Sequence, residues 1–295
     1  GVYIGTIVLL NIPNIQQAMS VFVAEELSEV LNTKVVIGRI NMGLLNRIII
    51  DDVLLDDQSG QEMLKVTRLS AKFDIMPFFK GKISISSVQL FGFNINLRKE
   101  TPDSPPNFKF VLDAFASKDT VKKENSLDLR INSILIRRGR MSYHVLSEEE
   151  TPGKFNAKHI QLQNIIANIS LKALSKDSLN LGIKRLSLDE KASGFSLKKM
   201  SLKLVANNKQ TNIDNFTIEL PETSLKLDTI HLEYDSLKAF DRFTEQVHFS
   251  FRTLPSQVTL KDISPFVPIL SHFKEPVTLD MEVKGTVDQL TCSHL

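Results

Sequence analysis

The side chains best suited to acid–base or metal chemistry in this 295-residue chain are its six histidines. No HExxH motif is present, and no histidine has a cysteine partner at the spacing of a zinc ligand pair. We therefore expect each histidine to be an isolated strand or loop residue, and the sequence predicts no metal and no cofactor. The histidines are His144, His159, His231, His248, His272 and His294.

Adjacent acidic residues are the next candidates for catalysis. Asp51 and Asp52 form one such pair and Asp56 and Asp57 another, but the sequence gives neither pair a base or nucleophile as a partner. The DDQSG segment that ends at Gly60 lacks the alternating acidic spacing of a calcium loop, so we predict a hairpin turn there. The GxSxG, GxxxxGKS/T and GxGxxG motifs are missing as well. The sequence therefore predicts no enzyme activity.

Composition bounds the remaining functions. Lys and Arg number 36 and Asp and Glu 34, so the net charge of +2 gives no field that would attract nucleic acid. Apolar residues make up 42% of the chain, which is enough to form a core. The single cysteine, Cys292, excludes an internal disulfide framework.

The informative signal is a repeated apolar pattern, hxhxxhxh, in which h is apolar and x is polar. Chance placement at 42% apolar content gives about one match in the whole chain, so its repetition is informative. We name the matching apolar residues the apolar stripe and predict that they line a lipid-binding groove. The apolar stripe consists of Leu64, Val66, Leu69, Ile83, Ile85, Val88, Leu90, Leu181, Ile183, Leu186, Leu188, Phe195, Leu197, Met200, Leu202, Leu225, Leu227, Ile230 and Leu232.

The two consecutive polar residues in each repeat predict a β-bulge. Side chains of a flat strand alternate between faces, so two polar residues in a row would move the later apolar residues to the opposite face. An extra, bulged residue restores the phase and keeps one apolar face. Looser matches begin at Val35, Ile48, Leu129 and Ile160, and we discount them because chance supplies several of that quality.

These patterns predict a mainly β protein. Strand follows strand from residue 34 with short connections, which favours a long, curved, antiparallel sheet with sequential pairing. Repeated bulges favour a sheet that curls into an open hydrophobic groove, a repeating β-groove or β-taco, over residues 34–295. The alternative is an ordinary sheet whose apolar face packs against other parts of the same chain.

Helices are expected mainly at the amino-terminal side. Residues 1–12 are uncharged and apolar, and we interpret them as the end of a membrane anchor helix or of a signal segment; an ordinary buried segment is the alternative. Residues 13–33 predict an amphipathic helix that caps the groove, because its acidic charges disfavour a position on anionic lipid. A short helix capped by Asn107 and another over residues 236–246 are also expected. The apolar positions of the first helix are Ile15, Met19, Phe22, Val23, Leu27, Val30 and Leu31.

An open trough of aliphatic side chains is suited to acyl chains. Burial of apolar surface contributes about 25 cal/mol per Å², which favours a lipid tail inside the trough and a head group in water. Such a groove would select weakly among head groups. Two other functions stay open: a spacer whose interior is filled by its own side chains, and a chaperone-like groove that receives β-strands at its edge.

Several segments resemble the amino-terminal part of the AsmA-like family, most closely its TamB type (translocation and assembly module subunit) from Bacteroidota. The similarity covers about residues 12–290 and rests on soft patterns of apolar, Gly and Asp positions rather than on a catalytic signature. The segments are LNTKVVIGRI, IIIDDVLLDDQSGQEMLKVTRLS, PPNFKFVLDAF, SPFVPIL and VKGTVDQL.

The resemblance implies a location and partners. It implies a single-pass anchor in the bacterial inner membrane, made through the amino-terminal helix, and a periplasmic β-groove that moves phospholipid toward the outer membrane. It also implies, as the alternative, assembly of outer-membrane proteins with a TamA-like barrel, which would meet a carboxy-terminal part that this chain lacks.

Overall fold

The computed structural model describes residues 12–43, 46–73, 85–116, 133–174 and 178–293. The protein is mainly β, with 58% of residues in strands that form one open, mixed sheet, together with an amino-terminal helix and a few short helices. This confirms the predicted fold class. The fifteen strands are β1 Val35–Gly43, β2 Arg47–Asp56, β3 Glu62–Phe73, β4 Ile85–Lys99, β5 Ser133–Val145, β6 His159–Leu174, β7 Ser178–Glu190, β8 Ser196–Asn207, β9 Gln210–Glu219, β10 Ser224–Glu233, β11 His248–Arg252, β12 Ser256–Thr259, β13 Pro276–Leu279, β14 Glu282–Thr286 and β15 Gln289–Ser293.

The helices are few and short apart from the first. Helix α1 spans Pro13–Leu31, α2 spans Lys109–Ala116 and α3 spans Phe243–Gln246. Within the described residues, none of the helices is both long and apolar enough to cross a membrane. Residues 1–11 of the predicted anchor lie outside the described residues. The 3₁₀-helices are Leu237–Arg242, Leu260–Ile263 and Pro268–His272.

The chain divides into two units. The first contains Gly1–Pro152 and Asn156–Ile165, and the second contains Gly153–Phe155 and Ile166–Leu295. The two units are described separately below.

Strand pairing in the first unit departs from the predicted antiparallel order at one point. β1 to β4 pair antiparallel in sequence order, but β4 and β5 run parallel, with Val88 opposite Ile134 and Leu97 opposite Tyr143. A parallel pair needs a crossover of a dozen or more residues, usually with a helix. The segment that contains α2 supplies this crossover. The prediction was wrong here because it assumed short connections between strands that pair antiparallel in sequence order.

The second unit begins as predicted and then forks. β7 to β10 pair antiparallel in order, but the free edge of β10 pairs with β11 over His231–Glu233 and with β12 at Ser224. β14 and β15 extend the β11 branch, and β13 pairs with β12. β13 and β14, which are close in sequence, therefore lie on different branches.

Residue pairs that interrupt the apolar alternation are aligned across the first unit, although the pair in β4 follows the predicted repeat Ile83/Ile85/Val88/Leu90 and is not its polar pair. We name them the kink dipeptides, and in β2 to β5 they are Asp51–Asp52, Thr67–Arg68, Phe91–Gly92 and Arg137–Arg138. Asp51 is opposite Arg68, Arg68 is opposite Phe91 and Phe91 is opposite Arg137. Because neighbouring strands kink at the same level, the register stays unshifted there. In the second unit the register does shift, between β7 and β8 and between β8 and β9.

Backbone dihedrals show how the kinks of four strands restore the apolar face. The second residue of the dipeptide is left-handed in β2, β4, β5 and β6, with φ of 55° at Asp52, 64° at Gly92, 55° at Arg138 and 54° at Asn164. A single left-handed residue turns the strand so that both dipeptide side chains face the same side. The looser matches at Ile48 and Ile160 contain the left-handed residues Asp52 and Asn164, so these two were discounted wrongly, whereas the match at Val35 contains no left-handed residue. Leu129 lies outside the described residues.

Gly139 lets β4 and β5 approach each other on the apolar face. A Cβ atom at this buried position would lie 2.3 Å from Cζ of Phe93 and 3.0 Å from Cβ of Ile165. Only a residue without a side chain leaves room for the Phe93 ring.

We expect Gly139→Ala to lower the free energy of unfolding of the first unit by about 1–3 kcal/mol, because the new methyl group forces the Phe93 ring to move. Hydrogen exchange of the β4 and β5 amides measures the change. Phe93→Leu removes the clashing ring atoms, so the same Gly139→Ala change should cost less in that background. An equal cost in both backgrounds would contradict a steric cause.

Helix α1 covers the β1 side of the apolar face. Met19, Val23 and Leu31 of the helix pack on a buried cluster that includes Val35 and Ile37. The remaining apolar positions differ from the prediction of a single packed face, because Phe22 is 62% exposed and Leu27 and Val30 are also exposed. The helix ends at Leu31 and is capped by Asn32. Asn32 adopts a left-handed conformation and donates its backbone N–H to the carbonyl of Glu29.

Asp57 joins the β2–β3 turn to β4 and to the α2 segment. Its carboxylate is buried and lies 2.6 Å from the Arg98 guanidinium. It also accepts hydrogen bonds from the Ser59 hydroxyl and from Nδ2 of Asn107. Asn107 was expected to cap α2, but its Oδ1 instead accepts the backbone N–H of Arg98. The predicted hairpin turn is confirmed, with Gly60 at a φ of 76°.

The hydrogen bonds decide the ionisation of Asp57. Burial by itself raises the pKa of this carboxyl group, but hydrogen bonds from the side chains of Ser59 and Asn107 and from the backbone of Gln61 and Ser59 outweigh it. The pKa of Asp57 is therefore held below its usual value.

We expect Asp57→Asn to lower the free energy of unfolding of the first unit by about 2 kcal/mol at pH 7, since it leaves the Arg98 charge without its partner. Hydrogen exchange of β2 to β4 is the measurement. Asp51→Asn is the matched control, because it removes a carboxylate whose partner Arg68 is 56% exposed. We expect that control to cost about 1 kcal/mol or less, and equal losses would contradict a special role for Asp57.

The advantage of wild type over Asp57→Asn should depend on pH. A folded-state pKa below the unfolded value gives stability that is present above the unfolded pKa of about 4 and is lost as pH falls through the folded pKa. We expect the difference in unfolding free energy to shrink steadily below about pH 4. A difference that is the same at acidic and neutral pH would show that the ionised carboxylate is not the stabilising form.

Candidate functional site: the apolar stripe

The apolar stripe forms continuous cross-strand rows within each unit. In the first unit, Leu69 of β3 is opposite Leu90 of β4. In the second unit, stripe residues of β7 and β8 are again opposite one another, and those of β10 face apolar residues of β9. The pairs are Ile183 with Leu202, Leu186 with Met200, Leu188 with Leu197, Leu225 with Ile218, Leu227 with Phe216 and Ile230 with Ile213.

Most of the stripe is half-buried rather than buried. Val66, Leu197 and Leu227 are the stripe residues that are buried, with 4%, 7% and 8% exposure. The other stripe residues whose side chains are described keep intermediate exposure. Ile83 lies outside the described residues, and Ile85 is described only as the first residue of β4. Neighbours on the same sheet thus shield these side chains in part, without enclosing them.

Part of the first unit is covered. The cluster beneath α1 also contains Ile48, Ile50 and Leu64, and Phe108 and Val111 near α2 pack on it. Leu64 is therefore a stripe residue that other parts of the chain already contact. Val88 and Leu90 on β4 remain half-buried. The expectation of an uncovered face thus fits β4 better than β1 to β3.

The second unit has little secondary structure to cover its stripe. Among residues 178–293, the longest helix is the six-residue 3₁₀-helix Leu237–Arg242. Its Ala239 joins Tyr234 and Val247 in a small cluster against Leu232 of β10. Leu186, with its neighbours on β7 and β8, keeps a half-buried side chain.

Phe195 differs from the other stripe residues. It lies before the first residue of β8, in the turn after β7, rather than inside a strand. Its ring is 5.0 Å from that of Phe266, which in turn lies 4.8 Å from Phe155. Phe195 therefore belongs to an aromatic cluster at the strand ends. The pattern missed this because its spacing continues across the turn.

The polar face of the first unit carries a charged row that the sequence analysis did not single out. The kink dipeptides supply it: Arg68 binds Asp51 with Nε to Oδ1 at 2.6 Å and Nη2 to Oδ2 at 3.1 Å. The hydrogen bond that Arg68 donates to Asp51 raises the pKa of Arg68 above its usual value. The Arg138 guanidinium lies 5.2 Å from the centre of the Phe91 ring. The polar dipeptides of the repeat were the available signal.

A groove of about 830 Å³ follows this charged row. Its lining combines both charge signs with apolar atoms, which makes it a polar surface groove rather than an acyl-chain site. The groove and the apolar stripe have one residue in common, Leu90. The lining residues are Gly38, Arg39, Asp51, Asp52, Thr67, Arg68, Gln89, Leu90, Phe91, Leu135 and Arg137.

Two histidines are not isolated, contrary to the prediction. Nδ1 of His144 lies 3.0 Å from Nδ1 of His159, across the β5–β6 connection. Glu150 lies beside them. Short-range motifs could not find this group, because the two histidines are brought together by strand pairing and not by local spacing.

Comparison with known proteins gives no family for this chain. No protein-family model matches it, and no curated protein matches its sequence. The resemblance to the AsmA-like family therefore stays a prediction.

Proposed function

We propose that this chain is part of a bridge-like phospholipid transporter whose acyl chains lie along the apolar stripe. The observation that carries the proposal is that most stripe residues in β7, β8 and β10 are half-buried, on strands whose opposite face carries exposed polar residues such as Arg185 and Thr229. A protein core would bury such leucines and isoleucines, since each fully buried aliphatic side chain contributes about 1.5–3 kcal/mol.

The chemistry of the stripe defines the cargo. Its aliphatic side chains offer no directed hydrogen bonds, so they suit hydrocarbon and discriminate poorly among head groups. Each acyl CH₂ that leaves water contributes about 0.8 kcal/mol, which allows a tail to be held without a polar pocket. Transfer of this kind breaks no covalent bond, in keeping with a protein that is not an enzyme.

The proposed setting follows from the resemblance. We place the body of the protein in the periplasm, anchored to the bacterial inner membrane through its amino-terminal helix and supporting outer-membrane biogenesis. Its partners would be phospholipids and, through a carboxy-terminal part, a TamA-like barrel. Nucleic acid is not among the proposed partners.

A second candidate is a scaffold or chaperone for outer-membrane proteins, without lipid in the groove. It is favoured by β15, whose residues are all exposed and which pairs with β14 alone among the described strands. An open edge of this kind can accept a strand from another protein.

Site-specific photocrosslinking tests the lipid proposal. A benzophenone amino acid at Ile230 or Leu186 should crosslink to phospholipid in cells. The same group at the adjacent exposed positions Thr229 and Arg185, on the polar face, should not. Crosslinks from Ile230 and Leu186 to protein alone would reject lipid transport and favour the chaperone.

Charge substitutions give a second test of the lipid proposal, with a matched control variant. We expect Leu186→Asp to lower lipid occupancy, measured by native mass spectrometry, about tenfold or more, because a carboxylate against hydrocarbon is costly. Arg185→Asp introduces the same side chain one residue away on the polar face and should leave occupancy unchanged. Equal losses in both variants would contradict a role for the stripe.

A further inference from the structure

The polar side of the β5–β6 connection brings together two imidazoles and a carboxylate. His144 is near the end of β5, His159 is the first residue of β6, and Glu150 lies in the turn between them. The backbone N–H of Val145 bonds to the carbonyl of Lys158 at 2.9 Å, which holds the two strand ends together. One ligand atom from each of the three residues lies within 4.8 Å of the other two.

The backbone partner of His159 determines which of its ring nitrogens carries a hydrogen. The ring is 7% exposed, and its Nε2 lies 2.9 Å from the carbonyl oxygen of Glu148. A carbonyl oxygen only accepts hydrogen bonds, so Nε2 carries a hydrogen, and the tautomer with that hydrogen alone has its lone pair at Nδ1. In metal proteins the same bond to a carbonyl fixes the ligating tautomer of histidine.

The second imidazole lies close enough to the first for both to bind the same metal ion. Nδ1 of His144 is 3.0 Å from Nδ1 of His159, and the two rings are inclined by 50°. Two nitrogen ligands at about 2.0–2.1 Å from a tetrahedral zinc ion are about 3.3 Å apart. With the hydrogen of His144 on its Nε2, a shift of a few tenths of an ångström would direct both Nδ1 lone pairs at one ion.

Glu150 completes a ligand set that suits zinc. Its side chain is exposed and can approach the ion without leaving the protein surface. The neighbouring cation, Lys158, is paired at 2.6 Å with Glu148. Two histidines and one carboxylate form a known zinc ligand set that leaves a fourth position for water. Calcium and magnesium prefer oxygen ligands alone, so this donor set excludes them.

We propose that His144, His159 and Glu150 bind a zinc ion that holds the turn between β5 and β6 against the ends of the two strands. The ligands come from both strands and the turn, so the ion joins three segments that otherwise depend on hydrogen bonds. The role is structural, and the site lies on the polar face of its strands, away from the apolar stripe.

Titration with zinc chloride by isothermal calorimetry tests the site. The whole chain is used with Cys292→Ser, since that exposed thiol would itself bind zinc. We expect one ion per chain and a loss of at least about tenfold in affinity in His144→Gln and in Glu150→Gln. His231→Gln is the matched control, because its ring also faces a carboxylate, Glu233, at 2.9 Å, and its affinity should be unchanged.

A second readout separates zinc binding from a hydrogen bond between two histidines. Zinc should slow hydrogen exchange across residues 146–158 in the Cys292→Ser protein and not in His144→Gln. Unchanged affinity in both His144→Gln and Glu150→Gln, or an equal loss in His231→Gln, would overturn the proposal and leave an ordinary histidine pair. Both informative variants change side chains that are not fully buried, so the test does not depend on His159→Gln folding.

Discussion

The structure depends on how a strand keeps one apolar face after two polar residues in succession. A flat strand would turn its later apolar residues toward water, at a cost that grows with every residue displaced. One left-handed residue in β2, β4, β5 and β6 prevents this. Because the partner strands kink at the same level in the first unit, few ladder hydrogen bonds are lost. In these four strands, one local device thus keeps the apolar side chains on one face of the sheet.

The two faces use different interactions. On the polar face, Arg68 binds Asp51 between neighbouring strands, but solvent screens the pair and it contributes little to stability. The buried Asp57 network is different, since it fixes a turn, β4 and the α2 segment to one another through a charge that water cannot reach. The apolar face is only partly covered, which limits the stability that it gives and leaves surface for another occupant.

The sequence predicted the features that depend on local pattern. The spacing of apolar residues identified the strands, the α1 helix and the bulged repeat, and DDQSG identified its turn. Features that depend on distant pairing were missed. Nothing near Val88 indicates a parallel partner at Ile134, and nothing near His144 indicates His159. Phe195 shows the opposite failure, since its spacing fits a strand while the chain is already turning.

The parallel pairing of β4 with β5 has a kinetic consequence. The hairpins of the first unit join strands that follow one another closely, so each can form as soon as its own residues meet. Val88 and Ile134 are opposite each other although the whole crossover lies between them. The entropy of closing such a large loop makes this contact slow to form. The β4–β5 junction therefore sets the pace at which the first unit assembles, and until it closes, the edge of β4 is open to wrong partners.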